Sequence, residues 1–192
     1  MDINSLKKSG LVIKLNNEPY QITFSQHSRT ARGGAFVRTK LKNLITGQTL
    51  EKTFNSSDKI EKANIEKANA NFLYSQNDKF FFMNNNTYEQ FFLNVNSLGN
   101  QKKFLKEGEE VEVLLFEKNP VNIELPQKVN LKVVESPPNI KGDSATSPSK
   151  NVVLETGFTI NTPVFISKND IIKINTETGE YVNRTSCGNP KS

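Results

Sequence analysis

The chain has 192 residues, 35% of them hydrophobic, and a formal net charge of +5. That is material for one large domain or two to three small ones. One cysteine, Cys187, excludes an internal disulfide framework. No apolar run approaches the ~18 residues of a membrane span, and Asp2, Lys7 and Lys8 flank too little apolar sequence for a signal peptide. A cytoplasmic protein with no membrane partner is the simplest expectation.

Strand-like alternation runs through the chain. Leu11 to Leu15, the polar pair Asn16-Asn17 and Tyr20 to Phe24 predict a hairpin. Ala35 to Leu44 predicts a strand paired with Tyr20 to Gln26, leaving His27 to Gly34 as the connecting loop. Thr46-Gly47-Gln48 turns into Leu50 to Phe54. Strands packed this closely, within about 55 residues, make a small β-barrel. After a charged stretch, Asn55 to Asn69, strands are predicted at Asn71 to Tyr74, Phe80 to Met83 and Tyr88 to Leu93. Ser97 to Lys106 has helical spacing and ends at Glu107-Gly108. Val111 to Phe116 and Val121 to Leu125 complete a second set. A third runs from Val129 through Val134, Asn151 to Leu154, Phe158 to Val164, Ile171 to Ile174 and Tyr181 to Asn183, interrupted by a turn-rich loop from Ser136 to Lys150. The fold class is therefore all-β, with three consecutive small barrels over residues 1–63, 64–126 and 127–187.

Charge is unevenly spread. Residues 1–63 hold 11 basic and 5 acidic side chains, 64–126 hold 6 and 9, and 127–192 hold 8 and 6. From Pro19 to Leu50 there is no Asp or Glu. Within this run "HSRTARGGAFVRTKLKNL" carries five Arg or Lys. An acid-free run of that length predicts a polyanion partner centred on the first barrel, against the plainer reading of a solvated face. Several aromatics, Phe36, Phe72, Phe80, Phe82 and Phe92 among them, are expected in barrel cores. Phe81 and Phe91 are compatible with either core or surface.

Enzymatic chemistry finds no residues to carry it. His27 is the only histidine and Cys187 the only cysteine, so neither a Cys–His pair of ordered residues nor a metal-ligand spacing is at hand. Arg32-Gly33-Gly34 leads into a strand, unlike a phosphate loop that opens a helix. No catalytic residue, metal or cofactor is expected.

The segments "EPYQITF", "GGAFVRTKLKNLITGQTLEKTF", "FMNNNTYEQ", "NPVNIELP", "KGDSAT", "LETGFTINTPVFI" and "IIKINTETGEYVNR" span all three barrels in order. The sequence resembles bacterial elongation factor P over nearly its whole length. The resemblance implies a KOW-like, SH3-like N-terminal barrel, two OB-fold barrels, an L-shaped tRNA-like arrangement and a flexible tail at 188–192. It also implies a monomer that binds the 70S ribosome, its RNA and proteins, beside the P-site peptidyl-tRNA. There it would stimulate peptide bond formation at consecutive prolines.

The family's loop residue, often a post-translationally modified Lys, stands four before the Phe of the following strand; Arg32 stands there in this chain. The resemblance thus makes Arg32, with Gly33 and Gly34, the tip that reaches the peptidyl-transferase centre, and Arg32 a candidate for modification such as rhamnosylation. Its flanks, Thr30-Ala31 and Gly33-Gly34, match neither common loop, so an unmodified Arg32 is the alternative. Arg29, Thr30, Arg38, Lys40 and Lys42 are the expected RNA contacts along that path. Gly142, Asp143, Ser144 and Ala145 match the loop that approaches the E-site mRNA codon, and Tyr181 and Arg184 the small-subunit contact. An elongation-factor-P-like paralogue and a standalone RNA-binding barrel protein are the other readings.

Overall fold

The computed structural model describes residues 3–7, 10–30, 34–138 and 149–185. The all-β expectation holds, in three five-stranded sheets. The first comprises β1 (Val12–Leu15), β2 (Glu18–Thr30), β3 (Gly34–Asn43), β4 (Thr49–Asn55) and β5 (Glu61–Lys62), in the order β4-β3-β2-β1-β5. Asn16 and Asn17 both have positive φ, 52° and 64°. A two-residue turn of type I′ needs that, and its twist matches the strands it joins. Ile13, Ile22, Val37, Leu41 and Phe54 fill this sheet's core, covered by Ile3 and Leu6 of a 3₁₀ turn at Ile3–Lys7.

The second sheet comprises β6 (Ile65–Gln76), β7 (Lys79–Asn84), β8 (Gln90–Asn94), β9 (Glu110–Phe116) and β10 (Asn119–Glu124), in the order β10-β9-β6-β7-β8. The third comprises β11 (Lys128–Glu135), β12 (Ser149–Leu154), β13 (Thr159–Pro163), β14 (Ile171–Asn175) and β15 (Tyr181–Thr185), in the order β13-β12-β11-β14-β15. Counted from their own first strands, the second and third sheets have the same topology, with the first strand central and the third and fifth at the edges. Those edges meet, β8 with β10 and β13 with β15, as barrel closure requires.

The sheets fall into two compact units. One takes the chain up to Gly99 together with Glu110–Glu124; the other takes Asn100–Glu109 and the chain from Leu125 on. In the first unit two sheets share a small core of Leu44, Ala63, Leu114, Phe116 and Val121. Lys14 Nζ meets Glu117 Oε1 at 2.8 Å beside it. A Cβ on Gly47, at φ 76°, would overlap the backbone carbonyl of Asn96, so only glycine fits. In the second unit Phe104 enters the core of Leu131, Val133, Val152, Leu154 and Ile172 and meets Phe158 edge-on at 5.7 Å.

Several sequence expectations change. The expected loop from His27 to Gly34 is largely strand, since Ser28, Arg29 and Thr30 pair with Phe36, Ala35 and Gly34. The charged stretch at 55–69 contains β5 and the start of β6, which pairs with β9 from Ile65 onward. The expected helix over Ser97–Lys106 is one α-turn, Val95–Leu98, followed by a 3₁₀ segment, Gly99–Phe104, because Gly99 leaves helical geometry at φ 58°. Tyr88, expected to start a strand, sits in the preceding turn at φ 59°. No helix among the described residues is long and apolar enough to cross a membrane.

Candidate nucleic-acid interface

The acid-free run folds into the β2–β3 hairpin and its neighbour β4. A 13-residue strand such as β2 spans about 40 Å. On β3, Val37, Thr39, Leu41 and Asn43 point inward and are buried, while Arg38 and Lys40 are exposed on the other face. Lys42 lies on that face too, half-buried. Cross-strand rows set the pattern: Phe24 opposite Lys40 opposite Glu51, and Gln26 opposite Arg38 opposite Thr53.

Phe24 was not foreseen as a surface residue. Strand alternation from buried Ile22 would carry it into the core. The pairing of β2 with β3 slips between Ile22 and Phe24, and Thr23 is the extra residue. Its hydroxyl donates to the Lys40 carbonyl at 3.1 Å. The bulge turns Phe24 to solvent, 51% exposed, beside two cations. Bulges leave little trace in a single sequence, because one additional polar residue looks like ordinary alternation.

The cations differ in their surroundings. Lys40 Nζ lies 3.3 Å from Glu51 Oε1, both side chains more than half exposed. The run lacks acids in sequence but receives one in space from β4. Such exposed pairs contribute ~0–1 kcal/mol and yield readily to a phosphate. Arg38 has no carboxylate partner among the described residues, and its guanidinium sits 5.8 Å from the Phe36 ring centre. Burial pushes the Lys42 ammonium below the ordinary lysine value. Nothing among the described residues hydrogen-bonds it, and a Cβ on Gly99 would lie 3.3 Å from its Nζ.

The other expected site residues divide three ways. Arg32, Gly33, Gly142, Asp143, Ser144, Ala145 and Cys187 lie outside the described residues, as do the side chains of Arg29 and Thr30. Gly34 opens β3 opposite Thr30, so the hairpin is paired up to the base of its tip. Tyr181 is half-buried against the core of the third sheet. Arg184 is exposed, 3.6 Å from Asp170 Oδ2 and 5.8 Å from the Phe165 ring centre. Among the described residues no three His, Cys, Asp or Glu side chains gather as metal ligands.

Three family matches cover these sheets in turn: the elongation factor P (EF-P) KOW-like domain over residues 3–60, its OB domain over 65–123, and "Elongation factor P, C-terminal" over 129–184. The elongation factor P of Acetivibrio thermocellus is 45% identical across 92% of this chain and 96% of its own. That of Symbiobacterium thermophilum is 40% identical across 96% and 99%. Among solved structures, eukaryotic translation initiation factor 5A from Methanococcus jannaschii shares the fold with a TM-score of 0.51 at 23% identity, covering 65% of this chain and 90% of its own. A KOW-like barrel joined to OB barrels, with a cationic hairpin on the first, defines a translation factor of the β-barrel class. The chain belongs to the elongation factor P family.

Proposed function

We propose that this chain binds the ribosome beside the P-site peptidyl-tRNA and stimulates peptide bond formation, relieving stalling at consecutive prolines. The observation that carries the reading is the β2–β3 hairpin, paired from Tyr20↔Asn43 to Thr30↔Gly34 and bearing Phe24, Arg38 and Lys40 on one exposed face. Paired strands make a stiff arm. Cations along it neutralise RNA phosphates, and Arg32 at its tip carries five donors and no acceptor. The arm supplies no acid or base. Proline's ring fixes φ and leaves a secondary amine as nucleophile, so a nascent chain ending in prolines holds ester and amine out of line. Orientation can account for ~7–11 kcal/mol of a bimolecular barrier. A factor that braces the acceptor end of the tRNA restores alignment, and the ribosome remains the catalyst.

Ribosome profiling in a strain lacking this protein tests the proposal. Pauses concentrated at Pro-Pro codons, relieved by the intact gene, are the expected result. Diffuse changes that follow RNA structure would instead favour a standalone RNA-binding protein.

A further inference from the structure

The second sheet carries an exposed aromatic face of its own. A register shift between Phe72 and Tyr74 makes Leu73 the additional residue and turns Tyr74 outward, as Thr23 does for Phe24 in the first sheet. Tyr74, Phe81 and Phe92 then form one cross-strand row. Tyr74 and Phe81 stack at 4.7 Å between ring centres, and Phe81 meets Phe92 at 6.0 Å. Tyr74 and Phe92 are more than two-fifths exposed. Phe91 goes the other way, stacked on buried Phe82 at 5.6 Å.

The neighbouring row on the same face is Gln76, Lys79 and Asn94. Lys79 Nζ stands 4.3 Å from the Phe92 ring centre and has no carboxylate partner among the described residues. Across these six residues there is one cation and no acid, within a segment that is acidic as a whole. Three acids elsewhere in that segment are held in ion pairs: Glu112 and Glu124 hold Lys67 at 2.9 and 2.8 Å, and Glu117 holds Lys14.

We propose that this face binds unpaired bases of single-stranded RNA, with Tyr74, Phe81 and Phe92 as stacking surfaces and Lys79 on the adjoining phosphate. The chemistry selects that occupant. Rings offer π-faces that any base can use, side-chain amides donate and accept as base edges do, and the ammonium matches a phosphate. A protein partner would instead need a broad apolar patch, which a single row of rings between amides does not supply. This second RNA site is separate from the β2–β3 hairpin and does not depend on the proposed role at proline runs.

The native chain has no tryptophan, so Phe92→Trp in the full-length protein gives a single reporter on the face. Short oligoadenylate should quench its emission saturably. Inorganic polyphosphate, which offers charge without bases, should not. In the Phe92→Trp protein, Tyr74→Leu and Phe81→Leu retain apolar volume and remove the rings; each should weaken oligoadenylate binding roughly tenfold with an unchanged circular dichroism spectrum. Lys40→Glu on the first sheet, added to Phe92→Trp, should leave the quench in place. Equal quenching by polyphosphate, no quenching by oligoadenylate, loss of the quench with Lys40→Glu, or unaltered binding by both leucine variants would each overturn the proposal.

Discussion

Arg38, Lys40 and Lys42 occupy alternate positions on one strand, yet their environments assign them different tasks. Arg38 is exposed and unpaired by acid among the described residues, and Lys40 is held only by a solvent-exposed partner. Both are available to phosphate. Arg38→Glu and Lys40→Glu should each weaken ribosome binding and reduce its logarithmic salt slope by roughly 0.7 to 0.9. A binding titration across salt concentrations checks this, and an unchanged slope would mean that these side chains meet only solvent.

Lys42 is different because it is half-buried with its ammonium shifted downward. Between its folded value and the ordinary lysine value, the unfolded chain retains a proton that the folded chain has lost. Stability should therefore rise with pH across that alkaline window, and below it the buried charge imposes a constant cost. Lys42→Met should raise stability at neutral pH by up to about 1 kcal/mol and abolish the alkaline rise. Urea midpoints at neutral and alkaline pH measure both effects.

At the scale of elements, one turn recurs in all three sheets. Asn43, Asn84 and Asn175 each accept, through Oδ1, the backbone N–H groups two and three residues on. The Thr that follows three residues later accepts from the N–H two beyond itself. The fifth residue has positive φ: Gly47 at 76°, Tyr88 at 59° and Gly179 at 74°. Asparagine closes such turns with its own side chain, and glycine takes the left-handed position without strain. Tyr88 does so at a cost of ~1–2 kcal/mol while 73% exposed. Tyr88→Gly should stabilise the fold by about 0.5–1 kcal/mol after glycine's greater entropy loss is counted. Gly47→Ala should destabilise it by at least about 2 kcal/mol, because the turn packs against the Asn96 backbone. Denaturant unfolding of the two variants tests the pair of opposite signs.

Much of this was readable in the sequence and some was not. Alternation located the core strands, and Asn16-Asn17 announced its own turn type. The repeat "NLITG", "NNNTY" and "NTETG" was present in the letters but spaced too irregularly to stand out. The distal half of the hairpin was read as loop because residues 25–30 are almost uniformly polar. Where a strand runs past the core neither face is buried, and alternation has no cause. The outward aromatics were illegible for a related reason. Phe24 and Tyr74 follow buried Ile22 and Phe72 at strand spacing, and only the pairing of neighbouring strands reveals the additional residue between them.

For the whole molecule, affinity and rate should be separable. Phosphate contacts spread over many cations position a protein on RNA without regard to sequence, so no single tip residue should dominate binding. On the proposed function Arg32, which the resemblance aligns with the family's loop residue, should govern rate. Arg32→Lys retains the charge and loses the planar fork of the guanidinium, so it distinguishes a need for charge from a need for geometry. The most direct test is translation of a Pro-Pro-Pro reporter with purified components and native or Arg32→Ala protein, with ribosome affinity measured in parallel. Arg32→Ala should keep stability within about 0.5 kcal/mol and most of its affinity, but lose stimulation at the proline run. Full stimulation by Arg32→Ala would contradict this, removing this residue from the reaction and leaving the hairpin as an anchor alone.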